Sequence, residues 1–169
     1  MKKLFLLSYF ALAVMLACGQ TDKSKRPSPP AVEKETLSNG ATVTIDYSQP
    51  SVKGRALGKD IAPYGKVWRT GANEPTSIEI SQDVKVEGQA LPAGKYAIYS
   101  IPGEEEWVVI FNKKATGWGT QYDESQDVLR VKVKPTKSSA FTEKMTFDVN
   151  KNGQVALLWA DQQVNFKLQ

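Results

Sequence analysis

From residue 36 onward the apolar residues of this chain recur at every second position, a spacing that suits strands with one buried face and leaves no helical stripe. Val43, Ile45 and Tyr47 alternate with Thr42, Thr44 and Asp46, and Ile78 and Ile80 with Ser77, Glu79 and Ser81. Leu129, Val131 and Val133 alternate with Arg130, Lys132 and Lys134, while Met145, Phe147 and Val149 share a face. Pro50, Ala62-Pro63-Tyr64-Gly65, Leu91-Pro92-Ala93-Gly94 and Asn150-Lys151-Asn152-Gly153 punctuate these runs as turns, and Glu104-Glu105-Glu106 solvates a hairpin tip after Pro102-Gly103. Residues 155–159 and 164–168 read as a closing pair of strands, and 52–57 as a short extended piece with Lys53 and Arg55 on one face. Roughly eight to ten short strands without a helical segment predict an all-β domain, an antiparallel β-sandwich of jelly-roll-like type, with a partly open barrel as the alternative.

The first residues follow another pattern. Met1-Lys2-Lys3 precedes an apolar run over 4–17, broken by Ser8 and Tyr9, and the run ends at Met15-Leu16-Ala17-Cys18. This resembles an export signal closed by a lipobox, with Met15 where leucine is usual. Fourteen residues are too few for a membrane span, which needs about 20, so the expected membrane partner is reached through a lipid anchor at Cys18, the only cysteine. Residues 19–35 carry Pro27-Ser28-Pro29-Pro30 and almost nothing apolar, and they read as a disordered tether. The expected organisation is a signal peptide over 1–17, a lipidated N-terminus and tether over 18–35, and a single β domain over 36–169. A single acid, Asp22, soon after the cysteine favours an outer-membrane lipoprotein of the cell envelope facing the periplasm. Removing Lys2 and Lys3 with the leader takes two from the formal charge of +4, which leaves no electrostatic case for nucleic acid.

The absence of histidine and the commitment of the lone cysteine exclude serine–histidine triads, cysteine–histidine pairs and histidine or thiolate zinc sites. No phosphate-cradling glycine loop and no Gly-x-Ser-x-Gly elbow occurs. Carboxylate chemistry survives this elimination. Glycoside cleavage needs two carboxyl groups about 5 to 9.5 Å apart, and Asp60, Glu74, Asp123, Glu124 and Asp127 supply candidates, with Glu74 the best single one. An oxygen-only calcium site from the same residues lacks an EF-hand spacing, so neither a metal nor a cofactor is expected.

The densest constellation is Val67-Trp68-Arg69-Thr70-Gly71-Ala72-Asn73-Glu74. Gly71 permits unusual backbone and Asn73 tolerates a left-handed one, so a sharp turn is expected there. Arg69 offers five planar donors suited to a carboxylate or phosphate. The competing reading pairs Arg69 with a local carboxylate such as Glu74 as a structural knot. Lys53 and Arg55 are candidates to join Arg69 in a basic pocket, against a solvated strand face. Trp118, between Gly117 and Gly119, is a candidate stacking platform with Tyr122 as a second face, against a plug at the end of the sandwich. Arg130, Lys132 and Lys134 are read as a solvated face.

Several ordered motifs, Tyr47-Ser48-x-Pro50-x-x-Lys53-Gly54-Arg55, Tyr64 through Glu74, Leu91-Pro92-Ala93-Gly94-Lys95-Tyr96, the run 107–112 and Asp127-Val128-Leu129-Arg130, resemble a bacterial domain-of-unknown-function family, number 2911. The resemblance spans most of 36–168 and implies an exported, lipoprotein-type protein with no assigned activity to carry over. The leading expectation is a lipid-anchored envelope protein whose β domain binds an unknown small polar or anionic ligand, a saccharide among them, through Lys53, Arg55, Arg69, Asn73, Glu74 and Trp118. A carboxylate-dependent hydrolase, and a structural or partner-binding module without a small-molecule site, are the alternatives; the balance leans away from an enzyme.

Overall fold

The computed structural model describes residues 22–169; the expected signal peptide and Cys18 lie outside them. Ten strands follow one another: β1 (Pro30–Thr36), β2 (Thr42–Ser48), β3 (Thr76–Ile80), β4 (Val84–Val86), β5 (Gln89–Leu91), β6 (Gly94–Ile101), β7 (Trp107–Asn112), β8 (Asp127–Val133), β9 (Pro135–Val149) and β10 (Gln154–Lys167). Short 3-10 turns at Lys23–Lys25 and Glu124–Gln126 are the only helical elements among the described residues. Strands β1-β2-β3-β6-β7-β8 form one antiparallel sheet, β9 and β10 a long hairpin, and β4 and β5 a short one. The large sheet does not close on itself, so the domain is a sandwich and not a barrel.

The alternating residues do what their spacing requires. Val43, Ile45 and Tyr47 of β2, Ile78 and Ile80 of β3, and Trp107, Val109 and Phe111 of β7 lie buried in one core with Met145, Phe147 and Val149 of β9 and Val155, Leu157 and Trp159 of β10. The two layers interlock through aromatic edges, Tyr47 on Phe147 at 5.1 Å and Phe111 on Phe166 at 5.8 Å between ring centroids. Each fully buried Ile or Phe contributes roughly 1.5 to 3 kcal/mol to this layer contact. A second, smaller cluster sits on the opposite face of the large sheet. There Ala97, Tyr99 and Ile110 are covered by Ala115 and Tyr122 from the β7–β8 connection. Strands β6 and β7 are therefore buried on both faces.

Three expectations need correcting. The stretch expected to remain a tether through Glu35 ends earlier, because Pro30–Thr36 is β1 and pairs with β2 from Pro30 opposite Ser48 to Thr36 opposite Thr42. Its only strongly apolar side chain, Val32, is 61% exposed, so backbone hydrogen bonding and not apolar burial holds it. Residues 155–159 and 164–167 lie in one strand, not a pair, and Leu168 follows it as an isolated bridge to Val86. Register shifts on either side of Ala160, whose φ is 55°, let β10 bulge and resume its pairing with β9. Lys53 and Gly54, with φ of 49° and 69°, form a turn instead of an extended piece.

Candidate functional site

The stretch at 67–74 occupies an interruption in the large sheet. Thr76 lies opposite Ile98 on β6, and Trp68 lies opposite Ser100, two positions further along the same strand. Paired strands would cover that step with two residues, whereas the chain takes the whole segment from Trp68 to Thr76. The surplus loops out of the sheet plane. Period-two geometry fixes what happens at its start. Trp68 exchanges both backbone hydrogen bonds with Ser100, at 2.7 and 2.9 Å, and its ring enters the core. There it stacks on Trp159 at 5.3 Å and meets Trp107 edge-on at 6.2 Å. The next residue, Arg69, consequently emerges on the other face, beside Tyr99.

The loop is held in strained backbone. Thr70 is β-branched, 2% exposed, and has a φ of 49°, a conformation that costs of order 1 to 3 kcal/mol. Its hydroxyl bonds to the Ser100 hydroxyl at 2.9 Å and its carbonyl accepts from the Thr76 hydroxyl at 2.7 Å. Asn73 adopts the left-handed conformation expected of it, with φ of 60°. Gly71 serves a different purpose from the one expected: its φ is not left-handed, and a Cβ there would stand 2.7 Å from the Thr76 hydroxyl oxygen. Close approach, not backbone freedom, requires that glycine.

The polar residues of the loop meet different fates. The Asn73 side-chain amide donates to the Ser28 carbonyl at 3.1 Å and to the Ser48 hydroxyl at 3.2 Å. One guanidinium nitrogen of Arg26 reaches both oxygens of Glu74, at 3.0 and 2.8 Å, and the Lys23 ammonium stands 3.0 Å away. The Glu74 carboxyl is held down at about 2, first by its own backbone amide and then by Arg26 and Lys23, against the opposing effect of burial. Arg69 is not its partner. None of the ion pairs among the described residues includes Arg69, and its Nε is buried without a hydrogen-bond acceptor.

Beside Arg69 opens a cavity of about 170 Å³ lined by Trp68, Tyr99 and Tyr122, with Gly119 behind and the exposed Val67 and Thr120 at its edge. The β7–β8 connection builds the far wall. Gly119 donates its backbone N–H to the Asn73 carbonyl at 3.1 Å, and a Cβ on it would fall 2.4 Å from Arg69 Cδ. The two loops therefore touch through the one residue with no side chain. Tyr99 and Tyr122 pack at 4.9 Å with their rings tilted by 59°. Burial pushes the Tyr99 hydroxyl above the ordinary tyrosine range while the charge of Arg69 pulls it back.

Tyr122 is fixed from behind. Its hydroxyl donates to Asp127 at 2.6 Å and accepts from Arg130 at 2.8 Å, and Arg130 also bonds Asp127 at 2.8 Å and Glu124 at 2.7 Å. Burial and the bonded Asp127 carboxylate push the Tyr122 hydroxyl up to about 12. The other Asp127 oxygen accepts from the Asn112 side chain at 2.7 Å. Arg130, read as part of a solvated face, is exposed as expected and also clamps this loop. The continuous apolar run of β6 and β7 signalled a second buried face, and Tyr99 belonged to that signal.

The remaining sequence candidates lie elsewhere. The Arg55 guanidinium caps the carbonyls of Val52 at 3.0 Å and Ser51 at 2.6 Å, and the Lys53 amide bonds Glu143 at 2.9 Å; neither residue lines the cavity beside Arg69. Trp118 stands 49% exposed at the tip of the β7–β8 connection, outside the cavity lining, so it is not a plug. Asp60 and Asp123 accept hydrogen bonds from backbone within their own turns, Asp60 from Ala56 at 2.9 Å and Asp123 from Ser125 at 3.0 Å. Among the described residues no three acidic side chains gather to hold a metal.

A family model described as protein of unknown function (DUF2911) matches residues 28–168. No curated protein and no solved structure matches the chain.

Proposed function

The chain belongs to the DUF2911 family, whose description carries no activity, and from that premise we propose that it is a lipid-anchored envelope protein whose β domain captures a small anionic ligand at Arg69. One observation carries this reading: a guanidinium with a buried, unpartnered Nε lines a cavity, while its neighbour Glu74 is paired twice over. A buried charged donor without an acceptor costs free energy that folding alone gives no reason to retain. An incoming anion would give the guanidinium the opposite charge that the fold does not supply. The strained Thr70 immediately after Arg69 supports the same conclusion, since strain concentrates where a side chain must be aimed.

Other readings fit less well. Saccharide recognition relies on acidic and amide side chains around the hydroxyls, and among the described residues no Asp, Glu, Asn or Gln lines this cavity. A hydrolase using Glu74 would need a free carboxyl group, yet Glu74 is ionised at all ordinary pH and engaged by two cations. The reading is tested by titration calorimetry of the purified full-length protein with acetate and with inorganic phosphate. Binding of at least one anion is expected, weakened about 100-fold in Arg69→Met, with the melting temperature unchanged. Equal affinity in the variant would overturn it. The anchor is tested separately: Cys18→Ser should move the protein from the membrane to the soluble fraction and remove the lipid mass from the intact-protein spectrum, and retention in the membrane would refute it.

A further inference from the structure

Resting on the Arg69 reading, the geometry points to a compact monocarboxylate with a flat apolar body, of the size of benzoate, as the class of ligand. The first argument is charge. Among the described residues Arg69 is the only charged one that lines the cavity, so one negative charge is balanced there and a dianion such as hydrogen phosphate is not. The second is donor geometry. A carboxylate presents two oxygens, and the cavity lining supplies the Arg69 fork together with Tyr99, whose hydroxyl has no hydrogen-bond partner among the described residues.

The third argument is size and surface. A cavity of about 170 Å³ compares with the roughly 150 Å³ in which an apolar protein cavity accommodates benzene. Its walls include the Tyr99 and Tyr122 rings, and the Tyr122 hydroxyl is turned away into its bonds with Asp127 and Arg130. What Tyr122 leaves to the cavity is ring surface. Acetate would satisfy Arg69 and leave this surface wet; a saccharide would cover it and leave the guanidinium without a charged partner.

The test uses four probes on the full-length protein: benzoate, acetate, benzamide and inorganic phosphate. Benzoate should bind about tenfold or more tightly than acetate, because the ring is buried, and about tenfold or more tightly than benzamide, which keeps the ring but lacks the charge. Tyr99→Phe, which retains the ring, should weaken benzoate severalfold and leave thermal melting in place. Arg69→Lys should recover only part of the affinity lost in Arg69→Met, since an ammonium cannot offer the planar fork. If phosphate or acetate binds as well as benzoate and depends on Arg69, the monocarboxylate class is wrong while the Arg69 site stands. If benzamide equals benzoate, or if Arg69→Met binds every probe as the wild type does, the site itself is refuted.

Discussion

Arg69 and Glu74 sit on the same loop and are of opposite charge, yet the fold pairs one and leaves the other unpaired among the described residues. Glu74 lies on the side of the loop facing the N-terminal segment, where Arg26 and Lys23 satisfy it and Ser28 engages its neighbour Asn73. Arg69 lies on the side facing the β7–β8 connection, where Gly119 comes within contact of its aliphatic stem but no acceptor reaches its Nε. Two charges that sequence proximity would pair with each other are thus turned apart by backbone: Thr70 and Asn73, both left-handed, reverse the chain between them. The loop is therefore not a knot between Arg69 and Glu74: its Glu74 end is paired within the fold, and on the proposed reading its Arg69 end is presented.

Arg69→Met should cost about 100-fold in anion affinity while changing stability by no more than about 0.5 kcal/mol, because no native partner of Arg69 is lost and a buried orphan donor is removed. Calorimetric titration and chemical denaturation on the same preparation read both quantities. A fall in stability of 2 kcal/mol or more would mean that Arg69 is structural after all, and the two ends of the loop would be alike.

Gly119→Val probes the contact between the loops. A Cβ at this position falls 2.4 Å from Arg69 Cδ and 2.8 Å from the Asn73 carbonyl oxygen, which is backbone and cannot swing aside. The expected cost is about 1 to 3 kcal/mol of stability, together with loss of binding as Arg69 is displaced. A variant of wild-type stability and affinity would show that the β7–β8 connection merely lies near Arg69.

Much of the architecture was legible because alternation encodes which face is buried, and β2, β3 and β8 emerge close to where period two places them. Strand β1 was not, since its buried-side positions are Ala31, Glu33 and Glu35 while Val32 points outward; an edge strand held by its ladder carries no apolar signature. The site was legible as a place and not as a set of partners. Arg69, Gly71, Asn73 and Glu74 announced a turn with charge in it, but the partner of Glu74 lies 48 residues upstream and the residue that packs on Arg69 lies in another connection. No local spacing records such pairings. The clamp around Asp127 was hidden for a related reason: Arg130 obeys the alternation of β8 perfectly, and alternation says nothing about whether an outward side chain meets water or a folded-back loop.

Asn73 separates backbone from side-chain effects on the closed end. Asn73→Ala removes the bonds to the Ser28 carbonyl and the Ser48 hydroxyl and keeps a Cβ in left-handed backbone without the polar side chain that tolerates it, for an expected loss of about 1 to 2 kcal/mol. Asn73→Gly removes the same bonds but relieves the backbone, and should retain more stability than the alanine variant by a few tenths of a kcal/mol or more. The order of the two variants in urea denaturation is the readout. If they are equal, the left-handed conformation at 73 costs nothing and the turn owes its shape to Thr70 alone.

The smallest effect is also the one whose pH dependence is fixed in advance. Glu74 titrates at about 2 in the folded protein against an ordinary value of 4.5, so the unfolded chain binds the proton first as pH falls. The bond from its own backbone amide and the pairs with Arg26 and Lys23 therefore stabilise the fold fully above about 4.5, and that contribution is lost progressively as pH drops toward about 2. With its side chain 38% exposed, solvent screening keeps the contribution modest, at most about 1 kcal/mol. Glu74→Gln should then be less stable than wild type by that amount at pH 7 and indistinguishable from it near pH 2, with the gap shrinking in added salt. Anion affinity at Arg69 should be unaffected at pH 7, since the glutamine still accepts from Arg26 and keeps the loop in place. If Glu74→Gln instead abolished anion binding without changing stability, the presented and structural ends would have to be reassigned, with Glu74 acting on the ligand and Arg69 serving the fold.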